Sequence, residues 1–268
     1  MNIEGSINAS DLRLLTKNGP IKKLSLTKMP RLTTRIAQGF DSLASVERLW
    51  LWCDVTRTAM RHVLSIPGLR VLDVLNIVKP GRLEGFSGAL SLEVLRANLS
   101  LSAEDMLEIC TCRTLCELGA QGAQLSPAVI AAILGLPTLA ALDLEGSDFD
   151  DAMAEQISVS TSITSLDIGA TRISPVGLAH LCTMKQLRSL DLWATQIQEG
   201  DLALLSELPM LEYISVGGFE HLPSLNAESV LPILSALPSL KRVWLDGIDL
   251  TLSQREQLAA RYENVRIT

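Results

Sequence analysis

The sequence predicts an α/β solenoid, in which short strands and short helices alternate along the chain. Leucine accounts for 49 of the 268 residues, and apolar residues together make up 47%, which is ample for a packed core. The pattern Leu-x-x-Leu-x-Leu, with Ile, Val or Ala at some leucine positions, occurs ten times. Successive copies begin 23 to 29 residues apart, a spacing typical of stacked structural repeats.

Each copy of the pattern predicts one strand. Because alternate residues of a strand point to opposite faces, we expect Leu166 and Ile168 to be buried, and Ser165, Asp167 and Gly169 to face outward. One repeat cannot bury its apolar face alone, so neighbouring repeats are expected to stack into a parallel sheet.

A turn and a short helix are predicted after most strands. Ser126–Pro127 and Ser174–Pro175 have the form of helix starts, with serine as the N-cap and proline at the first helical position. Ser102, followed by two acidic residues, predicts a third start.

The chain is predicted to be a single domain over residues 1–268. Residues 1–20 are predicted as a partial, capping repeat whose short helix is capped by Ser10, residues 21–264 as ten repeats, and residues 265–268 as a terminal strand. The repeat beginning at Leu211 spans 29 residues. Its extra residues, which include Phe219 and Leu222, are expected to bulge, either as a plug over the sheet edge or as part of a binding surface.

The clearest copies are Ile163–Ile168 and Leu187–Leu192. Ten copies in register resemble the leucine-rich repeat family over essentially the whole chain. Thr171 and Thr195 stand where that family usually has Asn or Cys, as in bacterial members with repeats of about 23–25 residues. The resemblance implies a horseshoe-shaped arc with a parallel β-sheet on the concave face and short helices on the convex face.

Composition argues against several partners and locations. The formal net charge is −7 and the isoelectric point about 5.1, which disfavours a nucleic-acid partner. The apolar stretches are interrupted before the roughly 20 residues that a membrane span needs, and the N-terminus lacks the features of a secretory signal. The odd number of cysteines, five, favours reduced thiols and a cytoplasmic location.

Catalytic and cofactor motifs are absent from the sequence. There is no glycine-rich phosphate loop and no G-x-S-x-G elbow. The histidines are far apart, and the spacing of Cys110, Cys112 and Cys116 does not match a two-plus-two zinc site. Outward carboxylates spaced about 5 Å apart, one per strand, do not form a calcium cage. We therefore expect no enzyme activity, no cofactor and no bound metal.

The candidate binding surface lies in two outward columns, the fifth and seventh positions of each copy. These columns hold 20 of the 268 positions and all four tryptophans. Tryptophans on an open sheet face favour partner binding, and the alternative is that they only pack against neighbouring strands. The predicted protein-binding residues are Trp50, Trp52, Asp73, Arg96, Asp143, Glu145, Asp167, Asp191, Trp193, Tyr213, Trp244 and Asp246.

The charge of this surface changes along the chain, with basic residues in the first repeats and carboxylates in the later ones. An acidic strip would attract a basic partner, whereas Leu-Asp-Leu is also a frequent strand phrase of the family with a purely structural role. Trp193 and Trp244 are expected roughly 10 Å apart, with Asp191 and Asp246 beside them. This arrangement favours cation–π contact with a partner's arginine or lysine.

The sequence therefore predicts a non-enzymatic module that captures a folded protein with a basic patch and is monomeric when unbound. An inhibitor or immunity protein is the favoured role. A bacterial effector or adaptor is the alternative, and an enzyme with an unrecognised active site is a remote one.

Overall fold

The computed structural model describes residues 1–79, 81–97, 101–218 and 225–267. The chain forms two compact units, Met1–Leu139 and Ala140–Thr268. Within each unit the strands are parallel and lie side by side in chain order, with turns and helices between successive strands. The predicted α/β solenoid is confirmed in both units. That the two units act as a single domain remains a prediction.

The first unit begins with the partial repeat and continues through five copies of the pattern. Its strands are β1 (Asn2–Glu4), β2 (Lys23–Thr27), β3 (Arg48–Thr56), β4 (Val71–Val78), β5 (Val94–Ala97) and β6 (Glu117–Gly119). Its α-helices are α1 (Ala9–Leu14), α2 (Thr34–Ala37), α3 (Arg57–Leu64), α4 (Ala103–Ile109) and α5 (Pro127–Leu134). Short 3-10 helices cover Leu15–Asn18, Gln38–Ser42 and Phe86–Gly88.

The second unit contains the most regular copies. Its strands are β7 (Ala141–Asp143), β8 (Ser165–Asp167), β9 (Ser189–Asp191), β10 (Tyr213–Gly217), β11 (Arg242–Asp246) and β12 (Asn264–Ile267). Its α-helices are α6 (Asp151–Ile157), α7 (Pro175–Leu181), α8 (Ala227–Ala236) and α9 (Leu252–Arg261), and a 3-10 helix covers Glu199–Glu207.

The core follows the leucine columns of the repeat. Leu142 pairs with Leu166, and Leu166 with Leu190, on adjacent parallel strands. These leucines and Ile168 are at most 2% exposed. The register inferred from the pattern is therefore the register of the sheet, and each repeat adds one layer to a continuous apolar core.

The helix starts follow the predicted caps, with one correction. Ser126 and Ser174 cap α5 and α7, each with proline in the first turn, and Ser102 caps α4. The cap of α1, however, is Asn8 and not Ser10. The Asn8 side chain accepts from the backbone N–H groups of Ser10 and Asp11, and the Asp11 carboxylate in turn accepts from the Asn8 N–H. This reciprocal capping box begins the helix earlier than the serine predicted.

In several repeats the turn after the strand places a left-handed residue at the eighth position. Gly122, Gly146 and Gly247 occupy it with φ between 64° and 66°. Ala170 and Ala194 adopt the same conformation, with φ of 52° and 55°. An alanine there is strained, because its Cβ approaches the following carbonyl oxygen.

Some expectations from sequence fall on parts that the structure does not describe. Phe219 and Leu222 of the long repeat lie outside the described residues, as does Thr268 at the end of the terminal strand. The described part of that strand is β12. Among the described residues, no helix combines the length and apolar character needed to cross a bilayer.

Candidate functional site

The structure aligns the outward columns as the repeat predicts. In the first unit the fifth-position neighbours run Ser25, Trp50, Asp73, Arg96, Gly119. In the second unit they run Asp143, Asp167, Asp191, Ser215, Trp244. We call this surface, formed by the fifth and seventh positions, the strand face. Gly169, predicted to face outward, lies in this column but is buried, and a Cβ on it would lie 3.3 Å from Asp167 Oδ1 and 3.5 Å from Asp191 Oδ1.

The fifth-column aspartates that end β7, β8 and β9 each accept a local backbone hydrogen bond. The Oδ1 atoms of Asp143, Asp167 and Asp191 accept the backbone N–H two residues later, at 3.0, 3.0 and 2.8 Å. A short acidic side chain can satisfy this donor locally, as in an Asx turn. This recurring bond supports the structural interpretation of Leu-Asp-Leu, and it also holds the second carboxylate oxygen in a defined position on the strand face.

The carboxylates of the second unit crowd one another. Burial, the negative charge of Asp191 and those of Asp143 and Glu145 raise the pKa of Asp167 to about 7, against the lowering effect of the Gly169 N–H. Burial and nearby negative charges likewise raise the pKa of Glu145 and, against several hydrogen bonds, that of Asp191. The charges acting on Asp167 are all negative, so this part of the strand face favours a cation.

Three of these carboxylates stand close enough for one cation to touch them all. Oxygen atoms of Asp143, Glu145 and Asp167 lie within 4.8 Å of one another, which is about the spacing of neighbouring strands. Three carboxylates are fewer ligands than the 6–8 oxygens that calcium usually takes, so the cluster by itself does not define a metal site.

Trp193 is held in place across a neighbouring strand. Its Nε1–H donates to Asp246 Oδ2 at 2.6 Å, although strand β10 lies between β9 and β11. Gly217 ends β10 beside Asp246. Trp193 and Asp246 are both half-buried. The predicted proximity of Trp193 to the β11 residues is therefore observed, through a contact that orients the ring.

The rings of Trp244 and Tyr213 are each contacted by an arginine of the next strand. The Arg266 guanidinium lies 4.0 Å from the centre of the Trp244 ring, and the Arg242 guanidinium 5.4 Å from that of Tyr213. The Tyr213 hydroxyl also donates to Asp191 Oδ2 at 3.4 Å. The two arginine–ring contacts support the alternative in which the aromatic side chains pack against neighbouring strands, because they already cover part of each ring within the chain.

A cavity of about 190 Å³ nevertheless opens between these side chains. The residues that line it are Glu145, Asp167, Gly169, Asp191, Trp193, Trp244 and Asp246. Six of these are predicted binding residues, and the structure brings them together around one space.

The predicted residues of the first unit are arranged differently. Trp50 is half-buried, and Trp52 is 56% exposed with the 43% exposed Leu75 on the following strand. Arg96 lies between Asp73 and Glu117, at 3.9 and 2.7 Å, so its charge is balanced within the sheet. Among the predicted tryptophans, Trp52 is therefore the one that offers most of its surface to a partner.

One buried ion pair had no counterpart in the sequence analysis. Arg57 makes two hydrogen bonds to Asp105, at 3.0 and 2.6 Å. Both side chains are less than 10% exposed. Burial alone would raise the pKa of Asp105, but the hydrogen bonds from Arg57 and Ser102 hold it below its usual value. The residues are 48 apart in sequence, and the only available signal was the Ser102–Asp105 capping box.

No protein-family model matches this chain, and no curated protein matches it in sequence. Solved structures are similar in fold. An internalin from Listeria monocytogenes is 15% identical with a TM-score of 0.57, and the match covers 97% of this chain and 88% of the internalin. A TLR13–ssRNA13 complex is 17% identical with a TM-score of 0.55, covering 97% of this chain and 45% of that one.

A TDR receptor is 17% identical with a TM-score of 0.57, covering 90% of this chain and 42% of the receptor. This chain thus spans less than half the length of the TLR13 and TDR receptor chains. All three are leucine-rich repeat proteins. At these identities the likeness concerns architecture alone, and with the repeat register and the strand–helix alternation it shows that this chain adopts the leucine-rich repeat fold.

Proposed function

We propose that the chain is a non-enzymatic module that captures a folded protein partner on its strand face. The observation that carries this proposal is the concentration of aromatic and acidic side chains around one cavity of the second unit. Aromatic anchors surrounded by polar groups are typical of the residues that dominate binding energy in protein interfaces. Leucine-rich repeat neighbours of known structure are consistent with an interaction module.

The charge of the second unit's strand face indicates the chemistry of the partner. Four carboxylates, those of Asp143, Glu145, Asp167 and Asp191, lie near one another, and three of them have a raised pKa. A positively charged surface would relieve their mutual repulsion and would be steered toward them. We therefore propose a partner with a basic patch. The TLR13 structure contains single-stranded RNA, but a phosphate backbone would be repelled by this acidic surface.

The strand face of the first unit provides a second, apolar contact. The exposed surfaces of Trp52 and Leu75 are contributed by neighbouring strands, and large side chains of this kind gain most when a partner removes them from water.

Within this class we propose an inhibitor or immunity role, in which the acidic strand face covers a basic surface of the target. The alternative is an effector or adaptor that uses the repeats for target recognition. We further propose that the unbound protein is monomeric and acts in the cytoplasm.

The test is an affinity capture with matched variants. The full chain is immobilised beside Trp52→Ala and Trp244→Phe, and beside Val159→Ala, a helix-side control whose valine is 72% exposed. A partner of the strand face is retained by the parent and the control. Loss of Trp52 should weaken its binding by about 2 kcal/mol, measured by calorimetry with the purified partner. Equal retention by all four proteins would contradict the proposal.

A further inference from the structure

The cavity of the second unit opens where one seventh-position side chain is missing. Gly169 stands between Glu145 and Trp193 in this column, and a Cβ there would lie 3.3 Å from both Asp167 Oδ1 and the Trp193 carbonyl oxygen. A larger side chain at Gly169 would occupy part of the space that the surrounding carboxylates and indoles line.

The volume limits what can enter. A space of about 190 Å³ is below the roughly 300–1,000 Å³ of typical small-molecule pockets. The cavity therefore suits the head group of one side chain and not a nucleotide or another whole cofactor.

The lining selects a planar organic cation. Carboxylates on several sides offer acceptors, and Trp193 and Trp244 offer aromatic surface. A guanidinium carries five N–H donors in one plane and stacks on aromatic rings. A divalent metal ion would use only the oxygens. Within the chain itself, Arg266 already stacks on Trp244 at 4.0 Å from the ring centre, so this indole demonstrably accepts a guanidinium.

We propose that this cavity is a receptor for a single guanidinium group, that of an arginine side chain on the partner's surface. The group would lie against the indoles and donate to the carboxylates of Asp167 and Asp191. This proposal rests on the proposed function and deepens it, since it names the chemical group that the acidic strand face recognises.

The experiment follows the four indole N–H signals of the full ¹⁵N-labelled chain by NMR, assigned through single Trp→Phe variants. The probe is the peptide acetyl-Gly-Arg-Gly-amide, compared with the same peptide containing citrulline, a neutral isostere of arginine, or lysine. We expect saturable shifts of the Trp193 and Trp244 signals with the arginine peptide and none with citrulline. Trp50 and Trp52 are internal controls that should not move.

Two variants connect the signal to the cavity. Asp167→Asn keeps the oxygen that accepts from Gly169 but removes the charge, and it should weaken arginine-peptide binding at least about tenfold, or 1.4 kcal/mol. Trp244→Phe keeps an aromatic ring and should weaken binding without loss of fold, which circular dichroism verifies. If Asp167→Asn fails to fold, Trp244→Phe carries the test.

Several results would overturn the proposal. They are equal shifts with citrulline, equal affinity for the lysine peptide, equal movement of Trp50 and Trp52, or displacement of the arginine peptide by millimolar calcium, which would indicate a metal site. A failed peptide titration together with a partner captured on the strand face would reject the guanidinium site and leave the proposed function standing. Peptide binding without any captured protein would support the guanidinium site and count against the proposed function.

Discussion

The crowded carboxylates of the second unit allow a test by a single substitution, Asp167→Asn. The ionised Asp167 carboxylate lies beside Asp191, Asp143 and Glu145, and its pKa is raised to about 7 by burial and by these charges. Asparagine retains the Oδ1 acceptor for the Gly169 N–H and has nearly the same shape. The substitution therefore removes a charge and leaves the packing intact.

The size of the effect follows from the two pKa values. Asp167 loses its proton at about pH 7 in the folded chain and near its ordinary value of 3.8 when unfolded. Between these values the folded state binds more protons than the unfolded state, so the free energy of unfolding falls as the pH rises. At about 1.4 kcal/mol for each pKa unit, the cost of the ionised Asp167 reaches an upper bound of about 4 kcal/mol above pH 7.

Asp167→Asn should therefore be more stable than the parent at pH 8, and the difference should shrink toward zero near pH 4. Urea unfolding, followed by circular dichroism and tryptophan fluorescence across this pH range, measures it. Asp249→Asn, at an exposed carboxylate, is the matched control and should change the unfolding free energy little at any pH. A variant that gains less than about 1 kcal/mol at pH 8, or gains equally at all pH values, would refute the electrostatic reasoning.

Two further substitutions test the core and the turn. Leu190→Ala removes a fully buried side chain that pairs with Leu166. Thermal and urea unfolding should show that the free energy of unfolding falls by about 2–5 kcal/mol. Unfolding like that of the parent would mean that the leucine register is wrong. Ala194→Gly relieves the left-handed conformation at φ 55° and should add about 1 kcal/mol. Ala131→Gly, within α5, is the control and should instead lower the free energy of unfolding by about 1 kcal/mol. If both substitutions destabilise the protein, the backbone of Ala194 is not strained.

The repeat pattern alone was sufficient for most of the architecture. The leucine columns specify which strand residues are buried, and Leu142, Leu166 and Leu190 pair as expected, because a parallel sheet of stacked repeats places equivalent positions side by side. Ser126 and Ser174 cap their helices for a reason equally local, since the cap satisfies donors only two or three residues away. The misplaced cap of α1 shows the limit of such signals, because Asn8 and Ser10 are both good caps and only the reciprocal bond with Asp11 distinguishes them.

The same columns identified the residues of the strand face but not how exposed each side chain is. Exposure of the tryptophans depends on what the neighbouring strand places beside them. Trp52 remains 56% exposed, whereas Trp193 crosses β10 to bond Asp246, and Trp244 lies under Arg266. The left-handed eighth position could have been found from sequence, since glycine recurs there at residues 122, 146 and 247.

What the sequence by itself determined is the periodic part of this protein, namely the strand register, the buried columns and the side chains that share one face, because those follow from spacing within one repeat. Only the tertiary structure decided which side chains of different repeats contact one another. The Arg57–Asp105 pair joins residues 48 apart, the Trp193 indole crosses β10 to bond Asp246, and burial together with the neighbouring carboxylates raises the pKa of Asp167. These features depend on rotamers and on distances across strands, and the energy of a buried charge changes steeply with such distances.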